Sequence, residues 1–386
     1  MSADIVDIAI IGGGIAGVSL AWAVASGARS AQSVLVLEAE DQPGYHASGR
    51  SAALFSETYG NALVRALSSA SGAVFRAPPE DFAGYGLTRP RGVLHLGTAD
   101  QQAALDHEAE TLGRLVPSVR RLGADEARAM VPVLAPHWAG AVLEPDALDI
   151  DANGLLQGCL SGMRRRGGRL RTGAAVTSLS PVAGGGWRIE TNSRESGAGV
   201  VEAGVVVNAA GAWADVVAGL AAIQPIGLQP KRRTAFLFDP VEPASGDWPM
   251  VIDLDESFYF KPDSGKLLGS LADESPSAPC DAAPDDMDVA IAVDRIERAT
   301  TLKVRRVSHA WAGLRSFVAD KSPVLGFDPA APDFFWCAGQ GGYGFQTAPA
   351  MARLGAALLR GEGVPGDLAE LGVTAADLSP GRVRGR

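Results

Sequence analysis

The feature that most constrains this chain is a glycine-rich turn near its N-terminus, Gly12-Gly13-Gly14-Ile15-Ala16-Gly17. The apolar run at residues 8–11 precedes the turn, and an apolar helical pattern at residues 18–24 follows it. A second apolar run, residues 34–37, ends in Glu38, which lies twenty-one residues after Gly17. Strand, glycine turn, helix, second strand and terminal acid together are typical of a dinucleotide-binding α/β fold. A glycine-rich turn in an unrelated α/β domain is the alternative, and the combination of elements argues against it.

Each residue of this turn has an expected role. Gly12 allows the sharp turn, Gly14 lets the backbone approach a pyrophosphate, and Gly17 lets helix and strand pack closely. The N–H groups that open the helix, at Ile15 and Ala16, lie at its positive end and are expected to hold the phosphates. Glu38, followed by Ala39, can accept both hydroxyl groups of an adenosine ribose.

Composition excludes several other classes of protein. The length of 386 residues allows two domains, and the net charge of −10 argues against nonspecific binding of nucleic acid. The three cysteines show no metal-binding spacing, so we expect reduced thiols in a cytoplasmic protein. No apolar run reaches the ~18 residues of a transmembrane segment, although peripheral membrane contact stays open. The start at Ile5 resembles a buried strand rather than a signal peptide.

Hydrophobic periodicity predicts a mixed α/β fold (α+β overall), with a Rossmann-like nucleotide-binding domain and an inserted sheet-rich substrate domain. Residues 1–76, 150–225 and 318–386 are assigned to the first domain, and residues 77–149 and 226–317 to the second. Helices are predicted over Ala62–Phe75, Gln101–Leu115, Ala124–Val131, Ala152–Arg166, Ala214–Ala222 and Ala348–Arg360. Strands are predicted over Arg169–Arg171, Ala175–Leu179, Gly186–Thr191, Gly199–Val207, Thr234–Phe238, Ser257–Lys261 and Lys266–Gly269. The tail after Gly363 is expected to fray.

Two further segments are expected to contact the dinucleotide. The strand at residues 205–207 ends in small residues and a second glycine turn, which suits a crossing above the cofactor. This assigns Ala210, Gly211 and Trp213 to the cofactor site, together with Val176 in a neighbouring predicted strand.

The segment after Glu38 distinguishes FAD from NAD. The small residues of the segment 42–53, with one arginine and two serines, resemble the flavin-proximal segment of the D-amino-acid oxidase superfamily. The resemblance implies noncovalent FAD, contacted by His46, Ser48, Gly49, Arg50, Ser51, Ala52 and Ala53. His46 could act as a base or, as in some related amine oxidases, carry covalent FAD; a hydrogen-bonding role along the cofactor is the preferred interpretation.

Within that superfamily the chain most resembles bacterial FAD-dependent D-amino-acid dehydrogenases of the D-arginine dehydrogenase type. The matching stretches, which occur in the same order, are residues 43–53, 228–233, 255–259, 311–320 and 340–344. The resemblance implies oxidation of an amino acid, with electrons passed to a quinone, a dye or oxygen.

Arg315 is the first candidate for binding the substrate. A guanidinium group binds a carboxylate with two parallel hydrogen bonds, and Arg315 lies in an otherwise apolar or small segment. The alternative is an internal salt bridge, for example to Asp320. The resemblance favours the substrate carboxylate.

Other site residues follow from the resemblance. It implies that Arg233 points toward the substrate, although Lys231-Arg232-Arg233 could be a solvated charge cluster. It places the hydroxyl group of Tyr259 on the substrate carboxylate, where a core aromatic is the alternative. It also places Tyr59 in the active site on a mobile loop, with Gly60 as a hinge, where a turn tyrosine is the alternative.

The second glycine turn, Gln340-Gly341-Gly342-Tyr343-Gly344, precedes the last long helix. Its backbone N–H groups, including that of Gly342 beside the substrate, can bond the N1/C2-carbonyl edge of a flavin. A C-terminal turn without a ligand is the alternative.

The chain departs from the arginine-type enzymes at two places. Leu54 stands where those enzymes have a polar residue, and residues 87–92 lack their carboxylate for a cationic side chain. We therefore expect a neutral, apolar D-amino acid, with an imino acid such as D-proline also open, because a desolvated guanidinium without a partner is costly. A secondary-amine oxidase for sarcosine- or glycine-like substrates and a noncatalytic flavin-binding subunit are the alternative functions. An NAD-linked dehydrogenase is disfavoured.

Overall fold

The structure, a computed structural model, describes residues 3–27, 32–80, 82, 86–193, 197–239 and 246–384. The helices are α1 (Ile15–Ala25), α2 (Ala62–Arg76), α3 (Gln102–Gly113), α4 (Ala124–Met130), α5 (Ala152–Arg165), α6 (Ala214–Leu220), α7 (Asp286–Ala299), α8 (Gly344–Leu359), α9 (Gly366–Glu370) and α10 (Ala375–Leu378). The strands are β1 (Asp4–Ile11), β2 (Val34–Leu37), β3 (Leu54–Phe55), β4 (Thr88–Pro90), β5 (Val93–Thr98), β6 (Arg120–Gly123), β7 (Trp138–Glu144), β8 (Leu148–Ile150), β9 (Arg169–Arg171), β10 (Ala175–Pro181), β11 (Trp187–Ser193), β12 (Gly197–Asn208), β13 (Gln229–Phe238), β14 (Met250–Asp253), β15 (Tyr259–Asp263), β16 (Lys266–Ser270), β17 (Ser275–Pro276), β18 (Val307–Phe317), β19 (Val324–Asp328) and β20 (Ala331–Ala338).

The glycine-rich turn follows β1, an inner strand of an eight-stranded sheet. The strand order is β10-β11-β12-β1-β2-β9, with β20 paired to β12 and β19 paired to β20. The strands β9, β2, β1, β12 and β20 run parallel to their neighbours in this series. The apolar runs of β1 and β2 are buried because α1, α5 and α8 contribute to one core cluster against the sheet and α6 contributes to another. This arrangement aims the turn after β1 at the carboxyl edge of the parallel strands, where ligands of such sheets bind.

A second sheet of nine strands supplies the other wall of the site. Its order is β17-β13-β16-β15-β14-β5-β7-β6, and β18 pairs antiparallel with the other side of β13. A three-stranded sheet, β3-β8-β4, accompanies it. The predicted mixed α/β class with a sheet-rich part is confirmed, while the predicted domain boundaries stay a prediction.

Two segments differ from the sequence-based expectation. Helix α8 begins at Gly344, four residues before the predicted start, and Pro349 lies inside its second turn. The tail after Gly363 was expected to fray, and this is wrong for residues 364–384, which form α9, α10 and a short 3₁₀ turn. Arg382 ties the tail to Asp320 at 3.1 Å, and Arg384 ties it to the buried Asp328 at 2.6 Å.

The cysteines are all free thiols. Cys159 and Cys337 are buried, Cys280 is exposed, and burial raises the pKa of the two buried thiols to about 12. Within the described ranges, no helix has the length and apolar character needed to cross a membrane. The cytoplasmic location stays a prediction.

Candidate active site

One cavity of about 480 Å³ joins the two glycine turns, a volume within the usual range of ligand pockets. Its walls come from the turn after β1, the end of β2, residues 44–52, the start of α6, strands β13 and β18, and the turn before α8. The predicted site residues that line it are Gly12, Gly14, Ile15, Ala16, Glu38, Ala39, His46, Ser48, Arg50, Ser51, Ala52, Val176, Ala210, Gly211, Trp213, Arg233, Tyr259, Arg315, Gly341, Gly342 and Gly344. Gly17, Gly49, Ala53, Tyr59 and Tyr343 are not among its lining residues.

The backbone at the first turn leaves no room for side chains. Gly12 has φ +113°, and a Cβ atom there would lie 2.3 Å from the carbonyl oxygen of Ala209. A Cβ atom at Gly17 would lie 2.1 Å from the carbonyl oxygen of Gly12. Gly17 therefore acts behind the turn, by letting α1 pack against it, which explains why it does not line the cavity.

Several backbone N–H groups at this turn already donate hydrogen bonds within the chain. The N–H of Gly13 donates to Glu38 Oε2 at 2.7 Å, and the N–H of Glu40 donates to Glu38 Oε1 at 2.9 Å. The N–H of Ile15 donates to Ser48 Oγ at 2.9 Å. Burial raises the pKa of Glu38 in spite of these hydrogen bonds. The turn, the acid at the end of β2 and the segment at Ser48 thus form one hydrogen-bonded cradle.

Arg50 lines the cavity, but its guanidinium group has partners within the chain. It donates to the carboxylate of Asp281 and to the carbonyl oxygens of Ala282 and Ala312 at 2.8 and 2.9 Å. Tyr45 also donates to Asp281, at 3.1 Å, and the hydrogen bond from Arg50 lowers the pKa of Asp281. Asp281 lies 231 residues away in sequence, so spacing gave no signal for this contact.

His46 lies beside the cavity in a polar and aromatic environment. Its Nε2 is 2.9 Å from Glu40 Oε1, and its ring centroid is 4.6 Å from that of Trp213. These contacts fix the ring at the wall. The hydrogen-bonding role of His46 along a cofactor stays a prediction.

At the other end of the cavity, two arginines and a tyrosine converge. The register of β13 against β18 places Lys231 opposite Arg315 and Arg233 opposite Gly313. Tyr259, at the start of β15, lies close enough to both guanidinium groups that their charge, outweighing its burial, lowers the pKa of its phenol. The three side chains line the same cavity.

Arg315 has no acidic partner among the described residues. Its Nη1 donates to the hydroxyl of Tyr59 at 3.5 Å, and the groups that act on its charge are Tyr59, Tyr259 and Tyr343. Burial opposes the charged form, and these phenol oxygens outweigh burial, so the pKa of Arg315 stays above the ordinary arginine value. Asp320, the alternative partner considered above, instead pairs with Arg382.

The second glycine turn packs directly on this arginine. A Cβ atom at Gly342 would lie 2.9 Å from Arg315 Nη1, and one at Gly341, where φ is +53°, would lie 2.1 Å from Phe317 Cε1. Because α8 begins at Gly344, the turn is placed at the positive end of a sixteen-residue helix. The cavity therefore has a helix N-terminus at each end and a cation beside the second one.

Sequence reasoning missed the acids that position this end of the site. The buried Glu144 accepts hydrogen bonds from Ser56 Oγ and Thr58 Oγ1, both at 2.7 Å, and from the N–H of Glu57 at 3.1 Å. These bonds anchor the residues before Tyr59, whose ring lies 5.1 Å from that of Tyr343. A lone acid in the apolar run of β7 was the one available signal for Glu144.

The two positions used to infer the substrate lie outside the cavity wall. Leu54 pairs with Asp149 in the small sheet and packs in the same apolar cluster as Tyr259. Gly92 has φ +70° in the turn before β5. A Cβ atom added there would lie 3.4 Å from the carbonyl oxygen of Glu144. Leu54 is partly buried against that cluster and is not among the residues that line the cavity.

A doubly wound sheet with a glycine-turn cradle, joined to a second sheet by an elongated cavity, defines a dinucleotide-dependent oxidoreductase fold. The family described as DAO, FAD dependent oxidoreductase, matches residues 7–358. The chain belongs to this family and is an FAD-dependent oxidoreductase. The narrower resemblance to D-arginine dehydrogenase-type enzymes stays a prediction.

Solved structures support the fold. Glycine oxidase from Geobacillus kaustophilus is similar with a TM-score of 0.81 and 22% identity, over 96% of this chain and 98% of that one. L-alpha-glycerophosphate oxidase from Mycoplasma pneumoniae, solved with FAD bound, is similar with a TM-score of 0.82 and 16% identity, over 92% and 95%. FAD-dependent oxidoreductase domain-containing protein 1 from Bos taurus is 27% identical over 175 residues, which are 40% of this chain and 35% of that protein. The match thus spans about a third of this curated relative.

The observed residues fit FAD. The cradle at Gly12, Gly14 and Glu38 would hold its pyrophosphate and adenosine ribose. The turn at Gly341–Gly342 would face its flavin ring, because it lies at the opposite end of the same cavity.

Proposed function

We propose that this chain is an FAD-dependent dehydrogenase that oxidises the Cα–N bond of a D-amino acid with a neutral or apolar side chain. The product is an imine, which water hydrolyses to a 2-oxo acid and ammonia. The observation that carries the proposal is Arg315, a cation at the cavity wall with no carboxylate partner among the described residues. A half-buried guanidinium group in that state favours an anionic ligand, and an amino acid supplies one.

The chain's own residues would bind and orient the substrate. Arg315 would hold the carboxylate and Tyr259 would donate a hydrogen bond to it, while Arg233 would face the substrate from the same end of the cavity. Gly342, which has no side chain, lets the second glycine turn lie directly against Arg315. FAD, when bound, supplies the electron acceptor at flavin N5 for the pair of electrons that leaves Cα.

The same wall supports a neutral substrate side chain. The acids among the described lining residues are Glu38 and Glu40, at the end of the cavity near the first glycine turn. A cationic side chain near Arg233 and Arg315 would meet like charges without a compensating carboxylate in the wall. Leu54, outside the wall, is partly buried against the apolar cluster that contains Tyr259.

The D-configuration and the use of a quinone or dye as acceptor rest on the sequence resemblance described above. A second candidate is a secondary- or small-amine oxidase, which is favoured by the structural likeness to glycine oxidase. Both reactions use the same carboxylate-binding residues, so substrate choice and peroxide yield under air distinguish them.

The test is anaerobic mixing of the purified FAD-containing protein with a panel of amino acids. D-leucine, D-methionine, D-phenylalanine and D-proline are expected to bleach the visible flavin absorbance faster than their L-enantiomers, sarcosine, glycine or D-arginine. Faster bleaching by D-arginine would overturn the neutral-substrate proposal. Faster bleaching by sarcosine or glycine would favour the second candidate, and no bleaching by any amine would favour a noncatalytic flavin subunit.

Activity is expected to rise with pH through one ionisation. The amine of a zwitterion must lose a proton before Cα can be oxidised. The described lining residues around Arg315 include no carboxylate or histidine, so the proton would pass to water. Because the neutral amine is the reactive form, kcat/KM should rise about tenfold per pH unit below its pKa and level off above it. A stopped-flow pH series checks this, and a pH-independent rate would contradict it.

A matched variant separates the substrate amine from Tyr259, whose own pKa is lowered by Arg315 and Arg233. Tyr259→Phe should weaken binding but keep the rise with pH. Loss of the rise in that variant would assign the ionisation to the phenol instead.

A further inference from the structure

Two lysines lie beside the end of the cavity that is lined by Arg233 and Arg315. Lys231 lies directly opposite Arg315 in the β13–β18 pair, and its Nζ is 5.5 Å from the centroid of the Phe317 ring. Lys321 approaches the same ring at 5.6 Å. The Phe317 ring also packs against the second glycine turn, because a Cβ atom added at Gly341 would lie 2.1 Å from its Cε1. The ring therefore lies between the lysines and this turn.

One acid, Glu274, is held by these lysines. Its Oε2 accepts from Lys231 Nζ at 2.7 Å and from Lys321 Nζ at 3.3 Å. Its Oε1 lies 3.9 Å from Arg233 Nη2. Burial alone would raise the pKa of Glu274, but the hydrogen bond from Lys231 and the charge of Lys321 outweigh burial and lower it, so Glu274 is an anion.

The preceding residue fixes where this carboxylate sits. The carbonyl oxygen of Asp273 accepts from Arg233 Nε at 2.7 Å, and its Oδ1 accepts from the N–H of Thr234 at 2.8 Å. Asp273 thereby ties the segment that carries Glu274 to β13. Glu274 reaches the cations from a backbone position set by these bonds, rather than from a free loop.

The two arginines that line the cavity differ in their acidic partners. Arg315 has no acid beside it, whereas Arg233 shares Glu274 with two lysines. A substrate carboxylate on Arg315 is therefore favoured. A second carboxylate on the same substrate would have to compete with Glu274 for Arg233 and the lysines.

We propose that Glu274 is a specificity-determining residue that excludes amino acids with an anionic side chain. It does so by occupying, from within the chain, the cationic position that a second substrate carboxylate would take. This rests on the proposed function, because it assumes that the first carboxylate binds Arg315. Because Glu274 is itself paired with Lys231 and Lys321, it offers no free carboxylate to a cationic side chain, and neutral side chains are left as the accepted class.

The test compares D-glutamate with D-glutamine, which have nearly the same shape and differ in charge. In the wild-type holoenzyme kcat/KM should favour D-glutamine. In Glu274→Gln the D-glutamate to D-glutamine ratio should rise by about 10- to 100-fold, because the lysines and Arg233 regain free donors. D-leucine should change by less than about threefold. The control is Glu110→Gln, which removes an acid from an exposed pair with Arg114 on α3 and should leave the ratio unchanged.

Lys321→Gln is a reciprocal variant. It removes one cation while keeping Glu274, so the D-glutamate to D-glutamine ratio should fall below the wild-type value. A ratio in Glu274→Gln that matches the wild type, or a wild-type preference for D-glutamate, would overturn the proposal.

A binding measurement separates this proposal from the proposed function. Titration with acetate and with malonate, followed by the perturbation of flavin absorbance, needs no turnover. Glu274→Gln should tighten malonate by about 10-fold or more relative to acetate. If this shift appears although no amino acid bleaches the flavin, the proposed oxidation fails while the assignment of Glu274 stands. If an amino acid bleaches the flavin but Glu274→Gln does not tighten malonate, the proposed oxidation stands and the assignment of Glu274 fails.

Discussion

Replacing Arg315 by leucine is expected to lower kcat/KM for the best amino acid by about 10³-fold. Removing one partner of a desolvated charge pair costs ~2–5 kcal/mol, which corresponds to roughly 30- to 4,000-fold. The effect should be at the upper end because no other described cation reaches the same point without a partner: Arg233 already shares Glu274. Steady-state kinetics with an artificial dye acceptor measure the loss.

Arg315→Lys tests whether geometry matters as well as charge. Lysine keeps the cation but loses the two parallel hydrogen bonds of guanidinium, so an intermediate loss of about 10²-fold is expected. The flavin content of both variants should be determined, since Gly342 packs against Arg315. The control is Arg232→Lys, because Arg232 faces Asp285 and Asp288 on the other side of β13 and should keep full activity. Wild-type kcat/KM in Arg315→Leu would remove the basis of the proposed function.

The cofactor end of the cavity could be predicted from the sequence because the residues that identify it lie close together in the chain. Gly12, Gly17 and Glu38 lie within one β-α-β unit, and each has a residue type that the backbone requires there. The structure confirms the turn geometry, since Gly12 and Gly17 have no space for a Cβ atom. Asp151 caps α5 through an equally local contact, since its side chain accepts from the N–H of Gly154.

The substrate end could be predicted only in part because the residues in contact there are far apart in the sequence. Arg315 could be proposed from its apolar surroundings, but Glu144 and Glu274 gave no spacing signal. Their partners are 86 and 43 residues away, at Thr58 and Lys231, and only the pairing of strands brings them together. Leu54 was used to infer the substrate because it follows the flavin segment in sequence, but it pairs with Asp149 of β8 and is not among the residues that line the cavity.

Replacing Gly12 by alanine is expected to abolish retention of FAD. The φ of +113° is strained for any residue with a side chain, at a cost of order 1–3 kcal/mol. The new Cβ would also lie 2.3 Å from a backbone oxygen, that of Ala209, which cannot rotate away as a flexible side chain would. Because Gly12 donates to the carbonyl oxygen of Leu37 at 2.8 Å, a shift of the turn also moves it relative to the end of β2 and Glu38.

The ratio of flavin to protein absorbance after gel filtration should fall to near zero in Gly12→Ala, with FAD binding weakened at least ~100-fold in titration of the apoprotein. The matched control is Gly167→Ala, which has φ +83° and nothing within 4 Å of the Cβ position. It carries the conformational strain without the collision, so it should lose about 1 kcal/mol of unfolding free energy and keep its flavin. Full flavin content in Gly12→Ala would mean that the turn can relax, and that the close contact with Ala209 is not what forms the cradle.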